Sequence, residues 1–200
     1  MSRILVRVEA YFLDLYPQSA GGTRDGGTSS SGQTLRPLAN GLALPSFWGR
    51  DEIDEAFAAA NRIWTREADI EFSPITVSER SEAVPADERG IWIHFVNHLS
   101  PRTRGIAVGF VYDLPSDEGG WGGGRVAVIA GVKAWSGITG FAGSLLAHEL
   151  GHVLIDDPNH RTANDDPSNL MFGRRNPRVA NAGLLHAGQV STARTRAMQL

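Results

Sequence analysis

Between residues 140 and 154 the chain sets Leu145, Leu146, Leu150, Val153 and Leu154 around the run His148-Glu149-Leu150-Gly151-His152. An apolar helix of this kind is buried on most sides, so the fold must wrap around it although it carries three titratable side chains within five positions. Positions i and i+4 lie about 40° apart on an α-helix, so both imidazoles leave one face and can share a metal ion. Glu149 stands about 100° round from His148, which removes it from the ligand set and puts it beside the open side of such an ion, where a water would lie. With six His in 200 residues, the chance of an H-E-x-x-H pattern arising by accident is only about 0.01. The plainer reading, two His on a solvated face, conflicts with the leucines around them. Thr139 stands where it can cap this helix.

Composition narrows the third ligand. There is no Cys, and Glu149 is the last Glu of the chain, so beyond the helix only His160, His186, Asp156, Asp157, Asp165 and Asp166 remain. Pro158 disfavours helical geometry at the residue before it, so the helix ends near residue 155 and the chain turns within 156–159, with Asn159 suited to a left-handed position. His160 then has the reach to join His148 and His152. Asp156 and Asp157 stay as substitutes, or as acceptors that orient a ligating imidazole. Three protein ligands would leave one position for water, the arrangement of catalytic rather than structural zinc. Eleven residues beyond His160 stands Met171, within a turn-like Ser168-Asn169-Leu170-Met171-Phe172.

The rest of the chain reads as one α+β domain over residues 1–200. Ile4, Val6 and Val8 share one face of a first strand, and residues 51–67 form an amphipathic helix with Ile53, Ala56, Phe57, Ala60, Ile63 and Trp64 on its buried stripe. Residues 70–77, 90–96, 105–111 and 125–130 read as strands, and 188–199 as a closing helix. Two segments read as loops. Residues 17–47, rich in Gly and Ser, form a flexible loop or insertion; residues 113–124 form a second, where Asp117 and Glu118 could cage calcium, although a solvated loop is the favoured reading. His94, His98 and His186 are read as packing or surface residues, and Arg174 and Arg175 as a solvated basic turn. Trp92, Trp121 and Trp135 are candidates for lining a cleft, although burial in a core is the commoner fate of Trp.

A net charge of −3 provides no global positive field for nucleic acid or acidic membranes, and no stretch is apolar enough to span a bilayer. Residues 1–14 alternate charged and apolar side chains and lack the apolar core of a signal peptide. The expected compartment is the cytosol, or the exterior by a route without a cleaved leader, and the expected state is a monomer.

In these motifs the chain resembles the metzincin superfamily of zinc metallopeptidases, in which an H-E-x-x-H helix is followed by a third His and then by a tight turn whose Met lies beneath the metal. His148, Glu149, His152, His160 and Met171 occupy those places. Residues 60–64 leading into 68–72 are similar to the first helix and second strand of such domains, and 184–194 to their closing helix. The chain departs from the pattern in having Ile155 and Pro158 where the family usually has Gly and His, which lengthens the spacer to His160 by two residues, and in having no Tyr near Met171.

The resemblance implies a twisted mixed sheet with two packed helices in an upper part, residues 1–155, and a smaller lower part, 156–200, carrying the Met-turn, with an active-site cleft between them. It also implies a metalloendopeptidase with one zinc per chain, a protein or peptide substrate, and Glu149 activating the zinc-bound water. Secretion is plausible by the same likeness. The edge strand expected to pair with the substrate is 125–130. Two alternatives differ in class: a zinc hydrolase of a small-molecule amide, and a zinc-holding binding module without activity.

Overall fold

Six consecutive buried residues at 106–111 and five at 126–130 require a sheet covered on both faces, because a strand with one solvated face alternates. The computed structural model has that arrangement. It describes residues 2–17, 36–37, 43–44, 48–84, 88–101, 104–114, 119–131, 141–157, 166–172 and 183–200. The elements in chain order are β1 (Ile4–Pro17), β2 (Arg36–Pro37), β3 (Ala43–Leu44), α1 (Arg50–Ala68), β4 (Ile70–Val84), α2 (Glu88–Leu99), β5 (Ile106–Val111), β6 (Gly120–Gly123), β7 (Val126–Ala130), α3 (Phe141–Ile155) and α4 (Ala187–Ala197). The fold is α+β with a mixed sheet in the order β4-β1-β5-β7-β6. The first four strands run parallel and β6 runs antiparallel to β7.

Each face of the sheet has its own core. On one face Val6, Val8 and Ala10 of β1, Ile106, Val108 and Phe110 of β5, and Ala127 and Ile129 of β7 meet α1, α3 and α4. On the other, Leu13, Ala107, Val111, Val126 and Val128 meet Ile91, Phe95 and Leu99 of α2. The stripe expected for α1 is the one that is buried, with Ile53, Ala56, Phe57, Ala60, Trp64 and Ala68 inside. The acids of its first turn suit the helix dipole, and Glu52 accepts a hydrogen bond from the Gly49 amide at 2.9 Å. α1 ends on Asp69 in the left-handed conformation, φ 55°, and the chain turns directly into β4.

Three expectations are corrected. Residues 90–96 are helical, not extended. Their β-branched and aromatic residues suggest a strand, but the spacing that the tertiary structure uses is Ile91, Phe95 and Leu99, all buried, whereas Ile93 is 47% exposed. The Gly-rich stretch 113–124 is not loop throughout, because residues 120–123 are strand β6. Finally, β7 lies between β5 and β6, so among the described residues the edge strand at this end of the sheet is β6.

Within 17–47 the described part is the β2–β3 antiparallel pair; the remainder of that expected loop after Pro17, like Asp117, Glu118, Trp135, Thr139, Arg174 and Arg175, lies outside the described residues. No helix among the described residues is long and apolar enough to cross a membrane.

The helical register of α2 gives a direct test by urea denaturation. Phe95→Ala should cost about 3–5 kcal/mol of stability, whereas Ile93→Ala should stay within about 0.5 kcal/mol. A strand would put both side chains on one face and make the two losses similar.

Candidate metal centre

Helix α3 is buried almost throughout its length because it lies between α1, α4 and the β6–β7 end of the sheet. Close approach depends on small residues. A Cβ at Gly143 would collide with Ala59, and one at Gly151 with the Met171 sulfur. Trp64 of α1 is wholly buried behind the motif and donates its indole N–H to the Ala147 carbonyl at 3.0 Å, which fixes the helix just before His148.

His148, Glu149 and His152 are all buried, with 4–5% of each exposed. The imidazole rings meet edge to face, and their Nε2 atoms lie 3.1 Å apart. His148 Nδ1 lies 2.6 Å from the Leu170 carbonyl oxygen, and His152 Nδ1 lies 2.7 Å from that of Asp157. A carbonyl oxygen carries no proton, so both Nδ1 atoms must be the donors, and each neutral ring then has its lone pair at Nε2. The two Nε2 acceptors thus stand 3.1 Å apart, a spacing at which both can bind one cation, either a metal or a proton. Two nitrogens bound to one tetrahedral zinc at its usual bond length would stand about 3.3 Å apart, so the pair fits that ion.

The carbonyl that orients His148 comes from the Met turn. Asn169 and Gln189 form a buried side-chain pair: the Asn169 amide donates to Gln189 Oε1 at 2.8 Å, and Asn169 Oδ1 accepts from the Met171 amide at 2.9 Å. Gln189 Oε1 also accepts from the His186 amide at 2.8 Å, so one residue caps α4 and braces the turn. The Leu170 amide donates to Leu184 O at 2.8 Å and the Leu184 amide to Ser168 O at 3.1 Å, which pins the turn to the strand-like residue before α4. Met171 is fully buried against Gly151, on the side of α3 away from β6. At the start of the turn Asp166 accepts from both the hydroxyl and the amide of Ser168, which holds its carboxyl below the usual range with some help from His186.

Strand β6 closes the opposite side. A Cβ on Gly122 would run into the Glu149 carbonyl and would sit 2.8 Å from the His152 Cβ; one on Gly120 would sit 2.8 Å from the Glu149 Cγ. These glycines let the backbone of β6 lie directly on the motif, and Gly120 leaves the room that the Glu149 side chain fills.

The structure thus brings together His148, Glu149, His152 and Met171. His160 lies outside the described residues, and among those described, His148 and His152 form no group of three with another His, Asp or Glu. Asp156 is exposed and takes the left-handed conformation at the helix end, φ 57°, as its amide bonds back to His152 O at 3.1 Å. Asp157 orients His152 through its main-chain carbonyl. His94 and His98 lie far along the chain on α2, stacked at 4.1 Å, with His94 Nε2 3.1 Å from Glu82, and they take no part in this site. The orienting carbonyls of Leu170 and Asp157 were beyond sequence reasoning, since every residue has one. Asn169 and Gln189 had a weak signal in their polarity at the turn and at the start of a helix.

The Asn169–Gln189 pair should be needed for stability. Asn169→Ala strands the buried Met171 amide and should cost about 1–3 kcal/mol in urea unfolding, and Gly122→Ala should cost a similar amount by forcing β6 off α3. A neutral result at both positions would contradict the packing described. No known protein-family model matches the chain and no curated protein matches it, so the reading of this site rests on its own geometry and chemistry.

Proposed function

We propose that this chain is a zinc-dependent metallopeptidase of metzincin type, cutting peptide bonds within a protein or peptide substrate. The observation that carries the reading is the pair of Nε2 acceptors set 3.1 Å apart on buried rings whose Nδ1 atoms are each bonded to a main-chain carbonyl. Two imidazole acceptors at that spacing are suited to binding one cation. His148, His152 and, after the turn, His160 would hold the zinc, with Met171 packed behind the helix. Zinc, when bound, polarises a carbonyl oxygen and makes water acidic enough to attack at neutral pH.

The remaining chemistry belongs to the chain. The Glu149 side chain lies along Gly120 of the edge strand, where it could take the proton of an attacking water and return it to the departing amine. That β6 is an edge strand among the described residues supports a peptide rather than a compact small molecule, because an extended main chain could pair with it and thereby lie across Glu149. The upper part, 1–155, would supply the sheet and the zinc helix; the lower part, 156–200, would supply the third ligand and the turn. A cleft between them would draw on residues 158–165 and 173–182, outside the described residues.

Elemental analysis of protein purified without added metal should find one zinc per chain, and a fluorogenic peptide library should be cut without chelator and spared with it. Zinc near zero that dialysis does not restore would leave a shared proton between the rings and overturn the proposal. Glu149→Gln should keep the zinc and lose about 10²- to 10⁴-fold in kcat. His160→Ala should lose zinc as completely as His148→Ala, whereas Asp156→Asn and Asp157→Asn should cost at most about 10- to 100-fold in affinity. The reverse pattern would assign the third ligand to an aspartate.

A further inference from the structure

Strand β6 has two faces, and the metal centre uses one. Gly120 and Gly122 point toward α3, Glu149 and His152; Trp121 and Gly123 point to the other face, where α2 lies. There Trp121 is buried, meeting Trp92 of α2 edge to face at 6.1 Å. Trp92 itself is half-buried, and its ring lies 3.3 Å from the place a Cβ on Gly123 would take. Gly122 and Gly123 are also the part of β6 that reaches solvent. A bare glycine on the strand that forms the sheet edge among the described residues therefore leaves an indole beside the path of a strand added there.

We propose that Trp92, with Gly123, forms a specificity subsite that selects an aromatic or large aliphatic side chain of the substrate, an inference that rests on the peptidase reading of the same site. Side chains of an added strand alternate between the faces, as do those of its neighbour. Substrate residues opposite Gly120 and Gly122 face Glu149 and the histidines, and the residue opposite Gly123 must face α2 and meet Trp92. It lies about three residues from the one nearest Glu149, so the selected position is close to the cut but on the far side of the sheet from it. Burying a large apolar side chain on the indole adds affinity along the whole reaction path, so it acts through KM and not kcat.

The test is a combinatorial peptide library digested by the zinc-loaded wild type, Trp92→Ala, Trp92→Phe and Gly123→Val, with the cut sites sequenced. The wild type should favour Trp, Phe, Tyr or Leu at one position within about three residues of the cut, by about 10- to 100-fold over Gly. Trp92→Ala and Gly123→Val, which removes or covers the ring face, should flatten that position while cutting continues elsewhere in the profile; Trp92→Phe should retain it. On a matched pair of peptides, the loss should fall on KM. Cutting by all four proteins with the preference unchanged would overturn the subsite and leave the peptidase reading standing, and a wild type that cuts no peptide would overturn both. Trp92→Phe and Gly123→Val keep the test decisive should Trp92→Ala fail to fold.

Discussion

Two hydrogen bonds from imidazole Nδ1 atoms to main-chain carbonyls organise the centre of this molecule. They fix the tautomers of His148 and His152, and in doing so leave two Nε2 acceptors 3.1 Å apart. Both acceptors are held in place by the chain around them. Asp157 is held by the left-handed turn at Asp156 that ends α3, and Leu170 by a turn whose amides are bonded to Asn169, Leu184 and, through Gln189, to α4. The closing helix, more than thirty residues beyond the motif, thus bears on the orientation of a ring nitrogen.

Glycine is placed where backbones have to approach. Gly151 admits the Met171 sulfur, Gly143 admits α1, and Gly120 and Gly122 admit α3 to the edge strand. A strand with three glycines among its four residues is intrinsically weak, and β6 is kept by its pairing with β7, by Trp121 in the core of the second face, and by contact with the motif helix. The same lack of side chains that weakens the strand leaves its edge close to Glu149 on one face and to Trp92 on the other.

Two-sided burial explains both the stability of the sheet and the misleading look of its sequence. β5 and β7 are continuous apolar runs because α2 covers the face that would otherwise be wet. Helix α2 resembles a strand for the opposite reason: Ile91, Trp92, Ile93 and Phe95 are residues that favour extended chain, and only docking of Ile91, Phe95 and Leu99 on the sheet selects the helical spacing. Ile93 is left on the surface.

The sequence by itself determined what periodicity and residue chemistry can carry: the buried stripe of α1, the alternation of β1, the strands at 106–111 and 126–130, the motif helix with two His on one face and Glu149 to the side, and a turn holding Met171. These are local properties, set by 3.6-residue or two-residue repeats and by the donors that each side chain owns. Tertiary structure alone decided that the Gly-rich run at 120–123 is the edge strand, that 88–99 is a helix, and that the carbonyls of Leu170 and Asp157 choose the tautomers of the motif. The reason is the same in each case: a backbone carbonyl, a bare glycine and a β-branched residue in a helix leave no local signature, and acquire their roles only from what the fold packs against them.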